Sequence, residues 1–358
     1  MHIPKPFVPP LNIEDLKEGG NQKAIDAIKA GIDLRAAKMA VRQLKRLDLR
    51  RTNYEYLKWV LMPLQNGYCF GAINSNTDEP IYRAVRWDTK PNLLGQLGCP
   101  PAESVGQGRT NNPGNPMFYG SAGCHSTIME LAPSLGDRLA ISKWKTKANL
   151  PLITAGYTAA AFEGKAGMSR YENLPWVKNR AINSWADTDG NNLVDEFIAH
   201  EFTKFVPKGE EWRYKISAAI AQGILNAHSF GIKGAPAIEI AGILYPSTPN
   251  QGNADNVALK PEIANAQLKF VSVQYIEITK KTDEPAYFMR GLDFADSISE
   301  TGAINWKGSF PSERIAGCDH SARAAGSNIE ILDNKGQVVA SAPFKLEWID
   351  MEHLKPKS

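Results

Sequence analysis

The spacing of apolar residues changes more than once along this chain, and the order of the changes limits its architecture more than any other feature. In Ala24 to Arg51, Ile25, Ile28 and Ile32, then Val41 and Leu44, recur at helical spacing against a charged face, with Gly31 as a break within one or two amphipathic helices. From about Pro80 the texture turns to short apolar runs such as IYRAVRW, separated by Gly, Pro and Asn clusters, which predicts strands joined by loops. The helical period returns in EEWRYKISAAIAQGILNAH, where Ile216, Ile220 and Ile224 stand four apart. The strand-like AIEIAGILYPS follows, then LKFVSVQYIEIT beyond Ala266, and NIEILDNKGQVVASAPF reads as two strands about an Asp-Asn-Lys-Gly turn. This irregular order lacks βαβ alternation and predicts an α+β fold rather than a doubly wound sheet. Three regions follow: an N-terminal helical region (1–78), a core (79–275) with an insertion at about 133–207, and a β-rich C-terminal extension (276–358).

With 358 residues, 43% hydrophobic and 22% charged, the chain belongs among globular proteins. A net charge of +3 argues against nucleic acid as the main partner. The exposed-looking cluster Arg42, Lys45, Arg46, Arg50 and Arg51 reads as a solvated helix face before it reads as a site for acidic lipid. No apolar run is long enough to span a bilayer, and MHIPKPFVPPLNIEDL lacks the layout of a secretory signal, so the expectation is a cytoplasmic protein without a membrane partner. The four cysteines, Cys69, Cys99, Cys124 and Cys318, form no CxxC pair and read as buried thiols. His125 and His200 lack a second ligand at metal spacing and read as structural.

One segment concentrates the chemistry. RTNNPGNPMFYGSAGCHSTIMEL, Arg109 to Leu131, joins an arginine, a Pro113-Gly114 pair suited to a type II turn, a strand-like aromatic pair and Glu130 wedged among Ile128, Met129 and Leu131. A carboxylate in apolar surroundings either faces water or has a cationic or hydroxyl partner. IYRAVRW offers Arg83 and Arg86, which a strand directs to opposite faces, and LYPSTPNQGNADNVALKPE offers Ser247 and Asn256. Each has a plainer role open to it. Glu130 can form a structural ion pair with an arginine, Tyr119 can be strand core, Arg109 an exposed loop residue and Ser247 a turn residue; no GxSxG elbow surrounds Ser247 to make it a nucleophile.

Taken in order, YRAVRW, GRTNNPGNPMFYGSAGCHSTIMEL, GILYPS and NVALKP resemble the RES-domain family, toxin-like proteins that act on NAD+, over about Tyr82 to Tyr275. The resemblance implies a mixed-sheet core similar to ADP-ribosyltransferases. It also implies cleavage of the nicotinamide–ribose bond of NAD+, which is then a substrate and not a resident cofactor. By motif position it makes Arg83 and Arg109 a cationic pair, Tyr119 an aromatic wall, Glu130 the acid and Ser247 the hydroxyl, with Tyr82 and Asn256 beside them. Glu130 and Arg83 are expected to line one pocket. An antitoxin or immunity protein, or a second copy of the chain, becomes a candidate partner, and delivery into another cell an alternative to a cytoplasmic site of action. Two functional alternatives stay open: transfer of ADP-ribose to a macromolecule, and a non-catalytic module that binds NAD+ or docks a partner. Compact members hold the serine much nearer the glutamate than here.

DTDGNNLVDEF imitates a calcium loop. Aligning Gly190 with the loop glycine puts Asp187, Asp189 and Glu196 at ligand positions, but Trp185 occupies the first ligand position and Asn192 that of the usual aliphatic. The segment reads as an acidic turn before a helix.

Overall fold

A computed structural model describes residues 32–65, 68, 70–174, 177, 188–226, 239–281 and 287–308, together with the backbone of three strands between 321 and 343. Two helices open the described chain, α1 (Leu34–Arg46) and α2 (Tyr54–Gln65). The Asp33 carboxylate accepts the Ala36 N–H at 2.9 Å and caps α1. Ala37, Ala40, Val41 and Leu44 form its buried face, while Arg42, Lys45, Arg46, Arg50 and Arg51 are all exposed. Ile25, Ile28 and Gly31 lie outside the described residues.

Then come β1 (Gly71–Asn74), β2 (Pro80–Arg86), β3 (Phe118–Ser121), α3 (Cys124–Leu131), β4 (Arg138–Thr146) and β5 (Pro151–Thr154). Helices α4 (Ala159–Phe162), α5 (Met168–Glu172), α6 (Asp189–Thr203) and α7 (Lys215–Leu225) follow. The chain continues through β6 (Gly242–Pro246), β7 (Asp255–Leu259), α8 (Pro261–Gln267), β8 (Leu268–Lys281) and β9 (Tyr287–Ala295). The fold is α+β. Nine strands make one mixed sheet in the order β1-β5-β6-β7-β3-β2-β4-β8-β9, in which β5 and β6 run parallel and the other pairs antiparallel. The β5-to-β6 crossover carries α4 to α7. With α1 and α2, helices α6 and α7 cover the face bearing Ile153, Ile243, Tyr245 and Ala258. Ile216, Ile220 and Ile224 of α7 are all buried there. A separate three-stranded sheet joins β10 (Ser321–Ala325), β11 (Asn328–Leu332) and β12 (Val338–Pro343).

The region boundaries read from texture cut through this sheet. β1 lies before residue 79 and pairs with β5, while β8 runs unbroken across residue 275 and carries β9. The stretch 133–207, expected as a loop-rich insertion, contains β4, which stands inside the sheet between β2 and β8. Leu139 and Ile141 of β4 pack on one face and Ala140 and Trp144 on the other, so the strand lacks the apolar–polar alternation of a half-exposed one.

The sheet nearly parts between β3 and β2, which meet at one register pair, Tyr82 opposite Ser121, whereas β2 pairs with β4 along seven positions from Pro80 to Arg86. Arg83 spans the gap by donating from Nη1 to the Tyr119 carbonyl at 2.8 Å. Helix α3 lies on the Tyr82 side of this junction, where Ile128 and Met129 pack on Ala84, Leu139, Ile141 and Ile276.

Candidate active site

Glu130 stands in the last turn of α3 and is exposed, yet one of its oxygens is held from beneath. Oε1 accepts the Ser247 hydroxyl at 2.7 Å and the Asn256 side-chain amide at 2.6 Å. Both donors are buried, Ser247 completely. Among the described residues Glu130 has no ion pair, so its partners are a hydroxyl and an amide, and the structural ion pair with an arginine does not form.

Register explains how residues so distant in sequence meet. Asn256 on β7 is opposite both Ser121 on β3 and Tyr245 on β6, and Ser121 is opposite Tyr82. Directly opposed residues share a face, so all four point to the side on which α3 lies. Ser247 follows β6 immediately, with its N–H bonded to the Ala254 carbonyl and its own carbonyl accepting from Gly252, both at 2.9 Å.

Tyr119 lies two residues before Ser121 and shares that face. Its hydroxyl donates to Asn111 Oδ1 at 2.6 Å and accepts from the Thr110 N–H at 3.0 Å and the Thr110 hydroxyl at 2.8 Å. Burial pushes its pKa up, against the downward pull of the Thr110 bonds. The phenol is therefore committed to fixing the 108–112 loop, and only its ring remains free to act as a wall. The Pro113-Gly114 turn has the expected geometry: Gly114 lies at φ +78°, and Asn115 N–H closes on the Asn112 carbonyl at 3.1 Å.

The loop so fixed presents Arg109. Its guanidinium donates to the Glu201 and Lys204 carbonyls at the end of α6, each at 3.2 Å, and to the Tyr214 hydroxyl at 3.4 Å. It also lies over the Tyr214 ring, 4.6 Å from the centroid. Burial raises the Tyr214 pKa, Arg109 lowers it and Glu130 raises it; the buried Tyr245 hydroxyl, raised first by burial, feels Glu130 and Arg109 with the same signs. Arg109 and Glu130 thus flank one tyrosine cluster as its cation and its anion.

Arg83 is not part of that cluster, which corrects the expectation of a pocket shared with Glu130. It follows Tyr82 directly and so faces the other way. Its guanidinium carbon lies 5.3 Å from the Phe118 centroid, and Ser142, opposite it on β4, donates to the Arg83 carbonyl at 3.1 Å. The residue is 9% exposed, Nε has no partner, and burial pushes its pKa down from the usual guanidinium value. Tyr82 does face α3 but is buried beneath it, with Lys143 Nζ 5.7 Å from its ring centroid. Arg86, on the same side as Tyr82, is tied to Asp137 at 2.9 Å.

A second buried cluster adjoins the site and draws two of its three residues from outside every motif. The Asp255 carboxylate pairs with Arg170 and accepts the Tyr157 hydroxyl at 2.7 Å. Sequence reasoning missed these three residues and also Tyr214 and Tyr245. Of the five, Tyr245 and Asp255 had a local signal, Tyr245 two residues from Ser247 in GILYPS and Asp255 directly before Asn256 in LYPSTPNQGNADNVALKPE.

The calcium-like segment is helical from Asp189 onward and capped by the Thr188 side chain. Asp195 bonds Tyr68, and Glu196 accepts from Thr158 at 3.3 Å; Asp187 lies outside the described residues. Among the described residues no three His, Cys, Asp or Glu side chains converge as a metal site. Burial raises the pKa of Cys99 and of Cys124, the latter to about 12, so neither is a ready thiolate; Cys69 and Cys318 lie outside the described residues. Burial lowers the His125 pKa, and His200 Nδ1 lies 3.3 Å from Glu201. A cavity of about 630 Å³ lined by Met117, Gln222, Lys260 and Glu262 opens at the opposite end of the β3–β7 pair and is lined by none of Tyr82, Arg83, Arg109, Tyr119, Glu130, Ser247 and Asn256. No helix among the described residues is long and apolar enough to cross a membrane. No family model matches the chain, and no curated protein matches it.

Proposed function

We propose that this protein cleaves the bond between nicotinamide and ribose in NAD+, with Glu130 as the catalytic carboxylate, on an ADP-ribosyltransferase-like core of the RES type. The observation that carries this reading is the uncharged clamp on an exposed acid. An arginine partner would neutralise Glu130, whereas Ser247 and Asn256 aim it and leave its charge to face a ligand.

That charge suits a cationic N-glycoside. Nicotinamide carries positive charge while bonded to the anomeric carbon and leaves neutral, taking the bonding electron pair, so no strong general acid is needed. Positive character builds on the ribose instead, as in other glycosyl transfers through oxocarbenium-like transition states. A fixed carboxylate beside that ribose, acting directly or through a ribose hydroxyl, stabilises the transition state more than the ground state. Water then attacks the anomeric carbon and loses a proton, giving ADP-ribose; phosphate in its place gives a phosphorylated sugar nucleotide. In this reading Arg109 is the cation nearest the pyrophosphate, and the rings of Tyr119 and Tyr214 form the walls that hold the nicotinamide.

Incubation of purified protein with NAD+ labelled in the ADP-ribose part tests this. Release of nicotinamide with free ADP-ribose marks hydrolysis, and a phosphate adduct marks phosphorolysis. Label bound covalently to protein or nucleic acid marks transfer to a macromolecule. NAD+ that stays intact ends the enzymatic reading and leaves a binding module.

A further inference from the structure

We propose that Arg170, which lies outside every motif that marks the site, is a positioning residue that holds Ser247 against Glu130. The inference rests on the proposed role of Glu130 but on separate contacts. Between β6 and β7 the chain makes a tight turn in which Gln251 and Gly252 both take left-handed conformations, φ +50° and +80°. Gln251 is not a residue that adopts this region readily, so the turn needs bracing from outside.

Arg170 supplies the brace from α5. Nη1 donates to the Gly252 carbonyl at 3.0 Å, and Nη2 pairs with the Asp255 carboxylate. One planar fork therefore grips the turn at residue 252 and the first residue of β7. The Gly167 N–H, just before α5, adds a bond to the Gln251 carbonyl at 3.0 Å.

The two gripped residues lead to both donors of the Glu130 clamp. Gly252 N–H donates to the Ser247 carbonyl at 2.9 Å, and Asp255 immediately precedes Asn256. The Asp255 carbonyl also accepts the Ser121 hydroxyl at 2.8 Å and the Ala122 N–H at 2.9 Å, which ties it to the segment entering α3. Tyr157 fixes the second Asp255 oxygen at 2.7 Å. Arg170 and Asp255 are largely buried, with side-chain exposures of 19% and 9%, so water is a poor substitute for either.

Arg170→Lys tests the assignment, because it keeps the charge but cannot bridge both acceptors. In the full chain the expected result is a fall of about tenfold or more in kcat for nicotinamide release, with KM within about threefold and the melting temperature little changed. Amide hydrogen exchange supplies a readout that does not depend on turnover: Ser247 and Gly252 should exchange faster in the variant, with α1, α2 and α7 unaffected. Unchanged exchange at those two amides overturns the proposal. Faster exchange with unchanged kcat in an active protein overturns the positioning role. If the wild-type protein leaves NAD+ intact, the proposed function fails by itself, and local acceleration of exchange still upholds the brace. A double variant, Arg170→Met with Asp255→Leu, removes both charges together and keeps the test open if Arg170→Lys does not fold; the same outcomes apply to it.

Discussion

The two faces of the β3–β2 junction treat charge in opposite ways. On the α3 side an exposed carboxylate, Glu130, rests on two buried neutral donors. On the other side a buried guanidinium, Arg83, makes one bond to the Tyr119 carbonyl, lies over Phe118 and has no acidic partner among the described residues. The first arrangement costs little and leaves charge available to a ligand; the second holds an uncompensated charge away from water, where desolvation is expensive. In the proposed function Glu130 acts on a ligand outside the protein, while Arg83 links two strands whose ladder has all but ended. Tyr82 and Arg83 are neighbours in a strand, so a motif that contains both can send only one of them to a given face.

The largest effect is expected on the exposed face. Glu130→Gln retains an oxygen that can accept from Ser247 and Asn256 but removes the charge, so nicotinamide release should fall on the order of a hundredfold or more. Stability should stay within about 0.5 kcal/mol, as for other exposed substitutions. Kinetics and denaturant titration on the same preparation check both. Turnover equal to wild type would take Glu130 out of the mechanism and erase the distinction between the faces.

The second expectation concerns stability on the buried face. Arg83→Ala should destabilise by about 2–5 kcal/mol, as truncations that leave a cavity do. Arg83→Met, which fills much of the same volume without the charge, should cost substantially less, since removal of a buried uncompensated charge offsets loss of the bond to Tyr119. Urea denaturation measures the difference. Both variants should keep KM for NAD+ within about threefold. A folded Arg83→Met protein that no longer binds NAD+ would place the guanidinium in contact with the ligand, and the comparison would break there.

Much of this arrangement was legible in the residues, and the rest fails to appear for identifiable reasons. Patterning found α7, through Ile216, Ile220 and Ile224 four apart, and the strands of Arg83 and Ser247, as short apolar runs between Gly, Pro and Asn clusters. It missed β4, which is covered on both sides and interrupted by Lys143 and Lys145. Alternation could separate Arg83 from Arg86, yet which of the two faced the carboxylate depended on where α3 packs, a tertiary choice without local signature. The clamp joins residues 117 and 126 positions apart, and only the motif order placed them together. Tyr157 and Arg170 reach Asp255 across 98 and 85 positions with no motif to announce them.

The smallest effect tests the loop that holds Arg109 on the Glu130 side. A Cβ at Gly108 would lie 2.2 Å from Asn111 Oδ1 and 2.7 Å from the Tyr119 hydroxyl, two atoms already bonded to each other. Gly108→Ala must therefore displace Asn111 or Tyr119, losing a buried hydrogen bond worth about 1–3 kcal/mol when its partner is left unmet. The displacement should carry Arg109 with it, because Thr110, which bonds Tyr119 through both its N–H and its hydroxyl, is the next residue. The expected outcome is a modest loss of stability in denaturant together with a several-fold rise in KM for NAD+ and a smaller change in kcat. Arg109→Lys, which keeps the cation but not the fork, should raise KM by a similar factor without the loss of stability attached to Tyr119. A stability loss in Gly108→Ala with KM unchanged would make Arg109 a cap on α6 alone, and the exposed face would then hold NAD+ by some other cation.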